Sequence, residues 1–226
     1  MENAHKQIEA VSGAEQTRRA LVHAALILFG KQGFDGTSTR EIAAAANANI
    51  GSIAYHFGGK EGLRIAVADH IVATVQNIAL RAPTVAPADT LPTRQEAEGA
   101  IIGMVERMFS FFVLQEEAAE IVPFVLREMF APSLAFDRIY DGMMEPLHRR
   151  CCQLWEAATG EPAESEETRI NVFLMIGQIL YFRLAREAVR RRMEWTEIGP
   201  QQGRKITDIA IANISTLLRA KKDRNP

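Results

Sequence analysis

The chain has 226 residues, 47% of them apolar, and carries 26 Lys and Arg against 28 Asp and Glu, a formal net charge of −2. That apolar content can bury one sizeable core or two small ones, which excludes disorder as the main state. The even charge excludes the bulk basicity that draws whole chains onto nucleic acid, so any DNA contact must be local. The two cysteines, Cys151 and Cys152, are adjacent, which excludes a disulfide framework and a CxxC zinc site and fits a reducing compartment.

Apolar side chains recur at three- and four-residue spacing from end to end and never alternate cleanly, so an all-α chain is expected. Residues 1–12 are polar and are expected to form a disordered tail without the apolar core of a signal peptide. Ser12 and Glu15 have the spacing of a capping box, in which hydroxyl and carboxylate satisfy each other's backbone N–H, and so open the first helix. Its stripe is Leu21, Ala24, Ala25, Leu28 and Phe29, and Gly33 ends it. A second capping box at Ser38 and Glu41 starts a short helix that stops near Asn47, and Asn49 can cap a third from Ile50 to His56. A longer helix runs from about Lys60, with Leu63, Ala66, Val67, His70, Ile71, Thr74, Val75 and Ile78 on one face.

Pro83, Pro87 and Pro92 mark a linker. Thr93 and Glu96 then cap a helix reaching about Gln115, with Ile101, Met104, Val105, Met108 and Phe112 on its face. Glu116 to Phe130 forms another, bent or started late at Pro123. Ser133 to Thr159 should kink about a turn before Pro146 and close at Gly160. A long helix from Glu166 to about Glu194 and a last one from about Gln201 to Ala220 complete the chain. The stripe of the last, with Leu218 at its end, is narrow, as on a helix packed against one partner pair. The longest apolar run, Val172–Phe182, has 11 residues against the roughly 20 of a membrane span, so a soluble cytoplasmic protein without a membrane partner is expected.

The first 60 residues have the spacing of a helix-turn-helix. Ile42 and Ala43, with Ile53 and Phe57, point inward and lock the second and third helices at a steep angle. The outer face keeps Ile50, Gly51, Ser52, Tyr55 and His56, small or hydrogen-bonding groups able to enter a major groove. The alternative is three small core helices without DNA. Residues 1–80 hold seven basic and seven acidic residues, so nonspecific attraction to DNA should be weak.

The stretch from Thr37 to Leu63, TSTREIAAAANANIGSIAYHFGGKEGL, closely resembles the DNA-binding signature of the TetR family of transcriptional regulators. Arg127–Phe136 and Ile176–Arg183 look like the CerR-type C-terminal domain of one TetR subgroup. The resemblance implies a TetR-like fold of about nine to ten helices: a helix-turn-helix DNA-binding domain at 13–59, then a ligand-binding and dimerisation bundle at 60–226. It implies a homodimer on a palindromic operator, most often a repressor released by a small-molecule effector. Carried over by position, Arg40 touches a base edge or phosphate, Thr37 a phosphate, and Gly51 and Ser52 approach bases or phosphates. Ile50 meets a thymine methyl, Tyr55 and His56 clamp the backbone, and Lys60 neutralises a phosphate. Asn47, Ala54 and Gly58-Gly59 depart from the family's usual glycine, tyrosine and Pro-Ser, so one phosphate contact is expected to be missing. The resemblance also assigns the dimer interface to the last two helices, with Ile206, Ile209, Ala210, Asn213, Ile214 and Leu217.

No paired inward carboxylates and no metal-spaced histidines are present, so an enzyme, a metal site or a cofactor is not expected. Gly59-Lys60 lacks the Gly and Ser or Thr that a phosphate-binding loop needs at positions 54 and 61. Arg127, Glu128, Gln178 and Arg183 stand in apolar sequence. Either they orient a ligand, with Met104, Met108, Phe112, Phe130, Phe173 and Tyr181 as walls around Arg127 and Gln178, or they form internal ion pairs. The rival to a regulator is an interaction module of this fold that has lost DNA binding.

Overall fold

A computed structural model describes residues 2–80 and 92–222, with side chains described at 13–77 and 92–221. All of its regular elements are helical: α1 (Glu2–Gln32), α2 (Thr39–Ala45), α3 (Gly51–Phe57), α4 (Lys60–Leu80), α5 (Arg94–Phe109), α6 (Glu116–Phe130), α7 (Leu134–Ile139), α8 (Glu145–Thr159), α9 (Glu166–Leu184), α10 (Arg186–Arg192) and α11 (Pro200–Lys222). Two π-helical turns, Ser110–Leu114 and Tyr140–Met144, follow α5 and α7. Among the described residues no strand is present, no helix is long and apolar enough to cross a membrane, and no His, Cys, Asp and Glu cluster could hold a metal.

Local signals set most of the ends. The capping boxes at Ser38–Glu41 and Thr93–Glu96 are both closed. Gly33 (φ +83°) and Gly160 (φ +80°) terminate α1 and α8 in the left-handed region, and Asn47 (φ +50°) turns the chain after α2. The π-helical turn before α8 is the break expected ahead of Pro146, which takes the first turn of the new helix, where its missing N–H costs nothing.

Other ends differ from expectation. The tail expected to be disordered is helical from Glu2, so the chain is already in α1 at Ser12. Met1 to Ala10 is rich in Ala, Glu, Lys and Gln, strong helix formers that outweigh a Ser and a Gly costing at most about 1 kcal/mol each. Pro123 stands inside a continuous α6, so there is no late start. The long helix expected from Glu166 breaks at Ala185 (φ −98°, ψ +25°). Its next residue, Arg186, donates to the carbonyls of Val113 and Ile198 at 3.2 and 3.0 Å, tertiary bonds that periodicity does not announce. Of the expected linker, Pro83 and Pro87 lie outside the described residues.

Two compact units divide the chain. The first comprises Met1–Ala79 with Glu120–Met143, and buries Leu21, Ala25, Phe29, Ile42, Ile53, Leu63, Val67, Ile71 and Phe124. The second comprises Leu80–Ala119 with Met144–Pro226, around Ile101, Val105, Phe109, Leu154, Trp155, Val172, Ile179 and Ile214. The boundary expected at residue 59 is therefore not where compactness divides the chain: α4 and most of α6 and α7 go with the helix-turn-helix.

Candidate nucleic-acid interface

The helix-turn-helix is braced from behind as its spacing requires. Ile42 and Ala43 of α2 and Ile53 of α3 are buried, and Phe57 is half-buried with the Arg18 guanidinium 5.6 Å from its ring centre. The Asn47 and Ala48 N–H groups donate to the carbonyls of Ala44 and Ala43, closing the turn. Asn49 then accepts from the Gly51 N–H at 2.8 Å through its side chain and from the Ser52 N–H at 2.9 Å through its carbonyl, which starts α3.

What the bracing leaves outward is the opposite side of α3. Tyr55 is 83% exposed and Ile50 50%, Gly51 is exposed, and Ser52 and His56 are partly so. The Tyr55 and His56 rings meet edge to face at 4.9 Å, which fixes the pair as one projecting unit. Arg40 of α2 is exposed. Lys60, at the first turn of α4, holds its ammonium 4.2 Å from the Phe34 ring centre, so its charge is placed rather than free to sweep. Hydrogen bonds from the Ser38 hydroxyl and N–H, the first of these the larger influence, hold the Glu41 carboxyl below its usual range.

Thr37 departs from its expected role. It is 1% exposed, and its hydroxyl donates to the carbonyls of Gly33 at 2.7 Å and Leu28 at 3.3 Å. It ties the inter-helix turn to the end of α1 and has no hydroxyl to offer a phosphate. Sequence spacing could not separate an inward Thr37 from the partly exposed Thr39 two residues on.

A family model described as bacterial regulatory proteins of the tetR family matches residues 21–67, and one described as the C-terminal domain of the HTH-type transcriptional dual regulator CecR matches residues 97–221. The chain is 31% identical to CecR of Shigella flexneri over 215 residues, 93% of this chain and 95% of that one. The chain belongs to the TetR family, with a C-terminal domain of the CecR type. It is a DNA-binding transcriptional regulator, and the family is one of regulators, not enzymes. The HTH-type repressor NicS of Pseudomonas putida is 29% identical over 148 residues, 66% of this chain and 58% of that one. The crystal structure of AibR in complex with isovaleryl coenzyme A and operator DNA shares the fold, with a TM-score of 0.59 at 15% identity over 86% of this chain and 96% of that one.

Two residues of this TetR-family head, Gly62 and Arg64, were missed by sequence reasoning. A Cβ on Gly62 would sit 1.9 Å from the Phe57 carbonyl oxygen, so only glycine lets the first turn of α4 pass the end of α3 so closely. Its signal was a glycine in a helical first turn, where alanine would otherwise serve better. Arg64 donates to both carboxylate oxygens of Glu128, at 2.8 and 3.1 Å, and Glu128 also accepts from the Ser133 hydroxyl at 2.6 Å. The ion pair links α4 to α6 across 64 residues; it is the internal pairing expected as the alternative role of Glu128, with a partner that local pattern does not name.

The residues expected to line a ligand pocket are distributed over both compact units. Arg127 and Phe130 belong to the first unit: Arg127 donates to the Gly30 and Lys31 carbonyls, and Phe130 is 87% exposed. Met104, Met108 and Phe112 are half-buried against the core of the second unit. Phe173 and Tyr181 project from α9 with most of their surface exposed. Gln178 lines a groove of about 140 Å³ with Trp155, Asn171, Asn213 and Leu217, and the buried Asn171 amide nitrogen there has no hydrogen-bond partner among the described residues.

The stripe expected as dimer interface also splits. Ile206, Ala210 and Ile214, with Leu218, are buried in their own unit's core, so they cannot face a second copy. Ile209 (63% exposed), Asn213 and the half-buried Leu217 are left outside. A helix whose stripe packs on its own chain presents only the flanking positions to a partner.

Proposed function

We propose that this regulator is a cytoplasmic repressor that binds a palindromic operator as a homodimer and is released by a small molecule held in its C-terminal domain. The observation that carries the reading is the outer face of α3, exposed at Ile50 and Tyr55 while Ile53 behind it is buried. On it Ile50, Gly51 and Ser52 approach base edges, Tyr55 and His56 clamp the phosphate backbone, and Arg40 and Lys60 neutralise phosphates on either side. Thr39, partly exposed at the first turn of α2, takes the phosphate contact expected of Thr37.

The dimer forms through exposed apolar residues of the second unit. These are Ile170, Phe173, Leu174, Tyr181 and Leu184 of α9 and Ile209 of α11, all at least 49% exposed. Phe173 and Tyr181 thus pass from the expected pocket to the interface. Met104, Met108 and Phe112 remain as apolar walls for the effector, since the groove at Gln178 is smaller than the roughly 300–1,000 Å³ of ordinary ligand sites. Binding the effector about a hundredfold better in the released state requires about 2.7 kcal/mol, and α4, which begins at Lys60 beside α3, carries that change to the head.

The test is a footprint on duplexes that the protein enriches from a randomised library. Two protected half-sites about one helical turn apart and related by a two-fold axis are expected, with two chains bound. A single unpaired half-site, or one chain per duplex, contradicts the reading, as does an Ile209→Glu variant that is still dimeric at nanomolar concentration.

A further inference from the structure

We propose that Arg127 and Glu128, adjacent residues of α6, together with Ser133, are positioning residues for DNA binding: they hold the end of α1 and the start of α4 at the angle that presents α3. Adjacent side chains on a helix diverge by about 100°, so one dipeptide can grip two helices.

Arg127 grips the first. Its Nε donates to the Gly30 carbonyl and its Nη2 to the Lys31 carbonyl, both at 2.8 Å. These belong to the last turn of α1, where carbonyls lack an intrahelical partner and the helix dipole favours a cation. The bonds span 97 and 96 residues. α1 and α6 cross closely here: a Cβ on Gly30 would lie 3.3 Å from the Pro123 side chain and from the Phe124 backbone nitrogen. From this anchored end Gly33 turns the chain, and the Thr37 hydroxyl donates to the Gly33 carbonyl one residue ahead of the Ser38 cap of α2. The start of α2 is therefore measured from the end Arg127 holds.

Glu128 grips the second. It is 3% exposed and accepts three hydrogen bonds, two from Arg64 and one from Ser133. The Arg64 guanidinium lies 4.5 Å from the Phe34 ring centre, and the Lys60 ammonium shares that ring at 4.2 Å. Phe34 sits in the turn that leaves α1, so Glu128 fixes through Arg64 and Phe34 the first turn of α4, which passes the end of α3 at Gly62. Farther along α4, Gln76 donates to the Gly142 carbonyl at 3.1 Å, a second hold from the π-helical turn after α7. A buried ion pair contributes little net stability compared with an apolar pair of the same shape, and its best-attested use is to specify one arrangement. Such a pair between helices that an apolar core already packs acts on their relative position.

The full-length chain tests this with Arg127→Met, with the double variant Arg64→Met plus Glu128→Gln, which leaves no buried charge unpaired, and with Arg127→Lys. Two quantities are read: affinity for a duplex enriched by the wild-type protein, and amide hydrogen exchange across residues 34–58 of the free protein. Arg127→Met and the double variant should each weaken binding about tenfold or more and speed exchange in that segment, while exchange in α5 and α8 stays at the wild-type rate. Arg127→Lys, which restores the cation at the carbonyls, should recover most of the affinity. Wild-type affinity in Arg127→Met or the double variant overturns the proposal. So does a loss that lysine does not recover, or faster exchange spread equally over α5 and α8. A wild-type chain that enriches no duplex counts against the regulator's assigned DNA surface, and exchange across 34–58 then decides the clasp by itself.

Discussion

The two compact units of this regulator both close an apolar core and differ in what their polar ties hold. In the unit of α1 to α4, directional polar contacts join distant segments: Arg127 on the carbonyls ending α1, Glu128 on Arg64, Gln76 on Gly142. In the other unit Trp155, Phe109, Leu154 and aliphatic residues of α5, α8, α9 and α11 close one apolar core. Its buried charge, Lys221, is tied to Glu161 and Glu167, and Glu161 also accepts the Trp155 indole N–H. Apolar packing supplies stability without direction, whereas bonds to carbonyls and carboxylates specify an angle. In the head these bonds hold the elements that carry α3, whereas in the second unit Arg186 on the Val113 and Ile198 carbonyls and Lys221 on its two carboxylates tie the helices of the core itself.

Substitutions separate the two roles. Trp155→Ala removes a fully buried indole and should cost about 3–5 kcal/mol, read as a lower denaturation midpoint, while exchange in α2 and α3 changes little. A loss shared equally by both units would erase the contrast. Gly62→Ala should act the other way: the new methyl meets the Phe57 carbonyl, costs about 1–3 kcal/mol, and lowers duplex affinity, with the second unit's exchange unchanged. Ser38→Ala opens the α2 capping box and should cost about 1 kcal/mol, seen in the exchange of α2 amides.

The smallest effect is a titration. Hydrogen bonds from Arg190 and then Arg191 hold the exposed Glu187 carboxyl down to about 2. A depressed folded value means the contribution is complete above the ordinary carboxylate range and is lost as pH falls toward 2. Carbon-detected NMR of the Glu187 carboxyl should give a midpoint near 2, and one near 4.5 would show the α10 pairing to be absent. The thiols add a check on the closed core. Burial pushes Cys151 up to about 12, so alkylation at pH 8 should wait on opening of the second unit.

Much of the head was legible because its determinants are local. Ser38 with Glu41, Gly33, Asn47 and the spacing of Ile42, Ala43 and Ile53 each act within a few residues, and α1 to α4 follow, with α1 starting earlier than its cap pattern suggested. The outer face of α3 follows too, since burying Ile53 turns Tyr55 outward. Thr37 was misread because an N-terminal hydroxyl can cap, contact or turn inward, and the Gly33 carbonyl that claims it is set by tertiary geometry. The C-terminal site was the least legible. Ile206, Ala210 and Ile214 read as an interface stripe, yet a stripe does not say whether its partner is the same chain. Arg127 reads as either a ligand group or half of an internal ion pair for the same reason: apolar surroundings show that its charge needs a partner, without naming the α1 carbonyls as that partner.

The central claim is that the outward side of α3 meets the duplex, and a double substitution tests it most directly. Tyr55→Ala with His56→Ala removes side chains that project from a helix held by Ile53 and Gly62, so circular dichroism and melting should match the wild type. At fixed salt, affinity for an enriched duplex should fall by about a hundredfold, roughly 2.7 kcal/mol. A folded double variant that binds that duplex as tightly as the wild type would contradict the account.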